Sequence, residues 1–110
     1  MFKIFKVSGT SMEPTVMSGD LILSTIIFKR ILKKNNLVIF FDKTHSFIIK
    51  RISNINNNNI ILKCDNRKSD SVFCQSPINK NKVLFVVLLI VKKKYVNFVI
   101  KCKRKILFFI

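Results

Sequence analysis

A serine hydroxyl is a weak nucleophile and does chemistry only with a base beside it. The segment Gly9-Thr10-Ser11-Met12-Glu13-Pro14-Thr15 offers such a serine between two apolar runs. Histidine is the usual base, and the chain has one, His45, with Asp20, Asp42, Asp65 and Asp70 as candidate orienting carboxylates. A Ser-His-Asp triad is thus conceivable, but the residues around His45 give it no support. A lysine serves instead when its amine is held neutral. The reference pKa is about 10.4 and full burial lowers it by roughly 3 to 5 units, at about 1.36 kcal/mol per unit. Few of the 21 lysines and arginines could meet that condition. Lys50 could. In a strand, Ile48 and Ile52 share its face, while Arg51 points the other way with Ile49, toward solvent or a carboxylate.

Three segments together resemble the type I signal peptidases. Gly9 to Thr15, followed by Gly19-Asp20-Leu21-Ile22-Leu23, resembles the segment that carries their nucleophile. Ile48-Ile49-Lys50-Arg51-Ile52 resembles the strand bearing their lysine base. Asp65-Asn66 with Ser69-Asp70-Ser71 and Phe73 resembles their third motif, and the order of all three agrees. The resemblance implies Ser11 as acylating nucleophile and Lys50 as its base. It implies an oxyanion donor in the Ser11 backbone N–H, with Gly9 where some members add a hydroxyl. Met12 would shape the substrate groove, and Ser69 would orient the lysine. Pro14, Gly19, Asp20, Arg51, Asp65, Asn66 and Asp70 would be structural. The chain departs from the pattern in the third motif, with Cys64 in place of a glycine and Val72 in place of an arginine. Asn35-Asn36 likewise replaces a Gly-Asp.

Positioning these residues falls to short β-rich runs. Phe2 to Val7, Leu21 to Phe28, Ile60 to Cys64 and Val83 to Val91 read as strands, the last as fully buried. Leu37 to Phe41 and Ser46 to Ile52 read as a hairpin around Asp42-Lys43-Thr44. With two glycines and two prolines, turn formation falls largely to asparagine, at Asn35-Asn36 and Asn56 to Asn59. Pro14 disfavours helix at Glu13, and Asp65 to Asn81 reads as a polar loop. The fold class expected is mainly β, a compact signal-peptidase-like domain of coiled antiparallel sheets. A peptidase domain would span 1–91. The basic and apolar tail, 92–110, reads as a last strand pair, a segment on an anionic membrane surface, or a solvated extension.

Composition narrows the function classes. A net charge of +16 attracts anionic partners, but the basic residues are scattered rather than gathered on one reading element, so no specific nucleic acid is expected. Lysine, asparagine, isoleucine and phenylalanine are enriched together, as AT-rich codons dictate, which dilutes the charge as a functional signal. Cys64, Cys74 and Cys102 read as free thiols, since three cannot all pair and no C-x-x-C spacing occurs. With one histidine, no metal site is expected, and no cofactor is implied. No apolar run reaches the roughly 18 to 20 residues of a membrane helix, and with Met1 to Thr10 ahead of Ser11 an N-terminal membrane anchor is not expected.

The expected function is a serine endopeptidase cleaving signal or leader peptides, with an extended preprotein segment as substrate. The compact variants it resembles are truncated signal peptidases, mitochondrial inner-membrane protease subunits and nickel superoxide dismutase maturation proteases. These imply a bacterial or mitochondrial inner membrane, with a partner protease subunit and an anionic membrane surface as further candidates. A cytoplasmic location is the alternative. Two other readings are a self-cleaving regulator like the SOS repressors, and a non-catalytic partner subunit or basic binding module.

Overall fold

Runs rich in β-branched and aromatic residues become strands, as their packing on a pleated surface favours. The computed structural model describes residues 2–26, 32–68, 74 and 76–96, and the backbone of 108–109. The strands are β1 (Phe2–Lys6), β2 (Leu21–Ile26), β3 (Leu37–Asp42), β4 (Ser46–Ile55), β5 (Asn59–Lys63), β6 (Ile78–Asn79), β7 (Val83–Val91) and β8 (Phe108–Phe109). They hydrogen-bond into one continuous sheet in the order β6-β5-β4-β3-β7-β2-β1-β8. The domain is mainly β, and its long pairings are antiparallel. Among the described residues, only the short β1–β8 pair, Phe5 with Phe108 and Lys6 with Phe109, is parallel.

The hairpin β3–β4 turns at the expected residues. Asp42 Oδ2 accepts the N–H groups of Thr44 and His45, and Ser46 takes φ 65°. Asparagine does supply turns: Asn35 takes φ 74°, and Asn56 N–H donates to the Asn59 carbonyl. The stretch expected as a polar loop contains β6 and a short 3-10 turn, Lys80–Lys82, whose first free N–H is met by the Asn79 side chain. In the tail, Lys93–Tyr95 forms a 3-10 turn and Phe108–Phe109 supplies a strand on the edge of β1. Among the described residues, no helix is long and apolar enough to cross a membrane.

Among the described residues, two apolar clusters build the core. Phe5, Val7, Met12, Val16, Ile22, Leu37, Ile39 and Ile49 form one. Leu32, Val38, Phe40, Ile48, Ile52, Ile60, Leu62 and Val83 form the other. Strand β4 serves both, with Ile49 in the first cluster and Ile48 and Ile52 in the second. Its centre is therefore covered on both faces, as three consecutive buried residues, Ile48, Ile49 and Lys50, require.

The fully apolar β7 is not fully buried, contrary to the expectation from its composition. Leu84, Leu88 and Leu89 are exposed. Two register shifts account for much of this. Pairing to β3 passes from Ile39–Phe85 to Phe40–Val83, skipping Leu84. Pairing to β2 passes from Leu23–Leu89 to Ser24–Val87, skipping Leu88. Each skipped leucine is the extra residue of a bulge, which breaks the alternation and lets Leu88 and Leu89 both turn outward.

Residues 7–20 form a loop between β1 and β2, closed at its base by Val7 N–H to the Asp20 carbonyl and Gly19 N–H to the Val7 carbonyl, both 2.9 Å. Gly19 takes φ 95°, and a Cβ there would meet the Lys93 side chain at 2.8 Å. Lys93 is exposed and can move aside, so the larger cost of a side chain is the backbone strain. Gly19→Ala is expected to lower stability by about 1–2 kcal/mol, read as a lower urea midpoint at unchanged slope.

Candidate active site

Ser11 opens the turn Ser11 to Thr15, in which Glu13 N–H donates to the Thr10 carbonyl and Val16 N–H to the Met12 carbonyl. The Glu13–Pro14 peptide is cis. Met12 and Val16 drop from this turn into the first core cluster, at 2% and 0% exposure, and so fix the height of Ser11 above the sheet. Lys50 reaches it from β4. Its Nζ lies 2.7 Å from Ser11 Oγ, and the residue is 4% exposed.

A cavity of about 160 Å³ adjoins this pair, lined by Val7, Gly9, Met12, Phe47, Ile48 and Ile49 together with Ser11 and Lys50. Gly9 is exposed, and a Cβ placed on it would meet no atom within 4 Å. There is accordingly room for a hydroxyl at the position where the resemblance places one in some members. Met12 lines the cavity as well as filling the core. Val7, Phe47, Ile48 and Ile49 were not singled out by sequence, since apolar residues in strands carry no mark of a cavity.

Arg51 points to the other side of β4 and finds a carboxylate there. Its Nε and Nη2 donate to Asp65 Oδ1 and Oδ2 at 2.8 and 2.7 Å, and Nη1 donates to the Asn35 carbonyl. The Arg51 guanidinium holds the Asp65 carboxyl below the usual carboxylate range. Partial burial alone would raise it, but the Thr15 hydroxyl and the charges of Arg51 and Lys63 add to the lowering. Asn66 closes the clasp. Its backbone N–H donates to the Ser11 carbonyl at 3.0 Å and its side-chain amide to the Thr10 carbonyl at 2.9 Å. The loop after β5 thus holds both the strand of Lys50 and the turn of Ser11. Ser69 and Asp70 lie outside the described residues.

Asp20 anchors the other end of the nucleophile loop. It is 2% exposed and accepts the N–H groups of Met17 and Lys93 at 2.9 and 2.8 Å and Lys92 Nζ at 3.2 Å. Burial pushes its carboxyl up, but these donors and the Lys92 charge together bring it below the ordinary value. Lys92 Nζ also donates to the Thr15 carbonyl at 2.6 Å. Sequence reasoning missed Lys92 and Lys93, because nothing sets them apart from the other basic residues of the tail.

His45 and Asp42 meet each other at the hairpin tip, Nδ1 to Oδ2 at 2.9 Å, and neither lines the Ser11 cavity. No three His, Cys, Asp or Glu side chains come together as a metal site among the described residues.

The Peptidase S24-like family model matches residues 2–87, a span holding Ser11, Lys50, Arg51, Asp65 and Asn66. The chain belongs to the Peptidase S24-like family. No curated protein matches it significantly. Membership gives this S24-like domain a serine-peptidase type of function.

The Asp65 carboxyl is depressed by folding. Its pairing therefore contributes stability that is complete above the unfolded value of about 3.9 and is lost as pH falls through the lower folded value. Asp65→Asn is expected to cost about 1–3 kcal/mol at pH 7. The gap between variant and wild type should narrow as pH falls from about 3.9 through the lower folded value. Urea unfolding across pH 2 to 7 measures it, and a constant gap would refute the assignment.

Proposed function

We propose that this S24-like domain is a serine endopeptidase in which Ser11 is acylated and Lys50 is the general base, acting on signal or leader peptides. The observation that carries the proposal is the 2.7 Å contact between Lys50 Nζ and Ser11 Oγ, with the lysine almost wholly removed from water. The base role uses the neutral amine, whose lone pair takes the Ser11 proton as Oγ attacks the scissile carbonyl. The protonated amine then returns that proton to the leaving nitrogen. Water enters next, giving a proton to Lys50 as its oxygen attacks the acyl carbonyl, and Lys50 returns that proton to Ser11 Oγ as the Oγ–acyl bond breaks.

Two features support an extended peptide substrate. Strand β5 pairs with β4 only from Arg51 to Ile55, while β3 covers the other side of Ser46 to Arg51. Among the described strands, the Ser46 to Lys50 half of β4 thus has an open edge beside the cavity, where a substrate strand can add its backbone bonds. The cavity itself is about 160 Å³ and largely apolar in its lining, well below the roughly 300–1,000 Å³ of pockets for drug-sized ligands. That size favours a small apolar side chain next to the cut, as leader-peptide cleavage sites present.

Cleavage of a preprotein followed by gel and mass spectrometry tests the assignment. Ser11→Ala and Lys50→Met are each expected to lower the rate by at least about 10³-fold. Lys50→Met should keep or raise the unfolding midpoint, because it replaces a buried amine with an apolar side chain of similar length. Wild-type cleavage by either variant would sink the dyad. A wild-type chain inert toward preproteins would favour a non-catalytic partner subunit or basic binding module.

A further inference from the structure

Cys64 and Cys74 are ten positions apart in sequence, and their sulfurs lie 3.6 Å apart, in van der Waals contact. Both are half-buried, and the Ser11–Lys50 chemistry uses neither. A disulfide bond is about 2.05 Å long, so closing one asks the sulfurs to approach by about 1.5 Å. The position of Cys64 gives the pair its consequence. It follows β5 directly and precedes Asp65 and Asn66, which clasp Arg51 and the backbone of Thr10 and Ser11.

We infer that Cys64 and Cys74 are a redox modification site, whose reversible disulfide staples the Asp65–Asn66 loop in its docked position. The oxidant is a low-molecular-weight disulfide of the glutathione class. One cysteine thiolate attacks a sulfur of that disulfide, forming a mixed disulfide and releasing one small thiol. The second cysteine attacks the protein sulfur of the mixed disulfide and releases the other small thiol. The two cysteines lose two protons and two electrons, and the small disulfide gains them as two thiols. A reducing compartment keeps the site open, and an oxidising one closes it. Because the folded contact already brings the sulfurs together, closure leaves Asp65 and Asn66 where they are. It acts by removing states in which the loop lifts away. The inference stands apart from the peptidase assignment, since it concerns the loop and not the dyad.

The test equilibrates the full chain carrying Cys102→Ser with mixtures of reduced and oxidised glutathione. Wild type serves as the parallel sample. Peptide mapping is expected to find a Cys64–Cys74 cross-link, with the intact mass reduced by two hydrogens, forming at least about tenfold faster in native buffer than in urea. Cys64→Ser and Cys74→Ser should each abolish it. Hydrogen exchange at the Asn66 amide, which donates to the Ser11 carbonyl, is expected to slow by about tenfold on oxidation. Stable glutathione adducts on either cysteine, equal cross-linking in urea, or unchanged Asn66 exchange would each overturn the inference.

Discussion

The contact between Lys50 Nζ and Ser11 Oγ sets the requirements for the rest of the molecule. Taking an amine out of water without a partner costs several kcal/mol, and Lys50 is given a hydroxyl at hydrogen-bonding distance. Three separately built pieces have to coincide for that contact to exist. Strand β4 must be covered on both faces at Lys50, which the two core clusters do through Ile48, Ile49 and Ile52. The loop between β1 and β2 must carry Ser11 down onto it, which buried Met12 and Val16 do. The loop after β5 must hold the two together, which Asp65 and Asn66 do.

The few carboxylates of this basic chain are concentrated at such joints. Five acidic residues face 21 basic ones, so self-repulsion works against the compact state. Among the described residues, Asp20 and Asp65 each form an ion pair with a lysine or arginine, and Asp42 meets the His45 ring at hydrogen-bonding distance. Asp20 ties the nucleophile loop to the segment after β7, Asp65 ties the loop after β5 to β4, and Asp42 fixes the tip of the β3–β4 hairpin. Charge alone could not choose among so many basic neighbours. Geometry does: Asp65 receives the two-pronged guanidinium of Arg51, and Asp20 receives backbone N–H groups that no distant lysine can replace.

The bulges in β7 show the sheet adjusting to the same demands. This strand lies between β3 and β2, and so links the strand that positions β4 to the strand that closes the nucleophile loop. Skipping Leu84 against β3 and Leu88 against β2 changes the register on each side separately. Bulged strands bend and twist more than regular ones. The outward leucines are the visible consequence.

Much of the architecture was legible in local sequence. Runs of isoleucine, valine and phenylalanine marked the strands, asparagines marked turns, and alternation around Lys50 placed Arg51 on the opposite side of β4, where it finds Asp65. The Ser-Met-x-Pro-Thr and Lys-Arg segments mark Ser11 and Lys50 by residue type and spacing. What sequence left open were the contacts between residues far apart in the chain. The 39 positions between Ser11 and Lys50, the 56 between Thr10 and Asn66, and the 72 between Asp20 and Lys92 are bridged by sheet order and loop docking. Pairing register and bulges, which exposed Leu84 and Leu88 on an apolar strand, depend on both neighbouring strands at once. Side-chain periodicity is a property of a few consecutive residues, so sequence by itself determined the strands and the candidate chemistry. Only the tertiary structure, which packs two faces of β4 simultaneously, decided that a lysine would be buried against a serine.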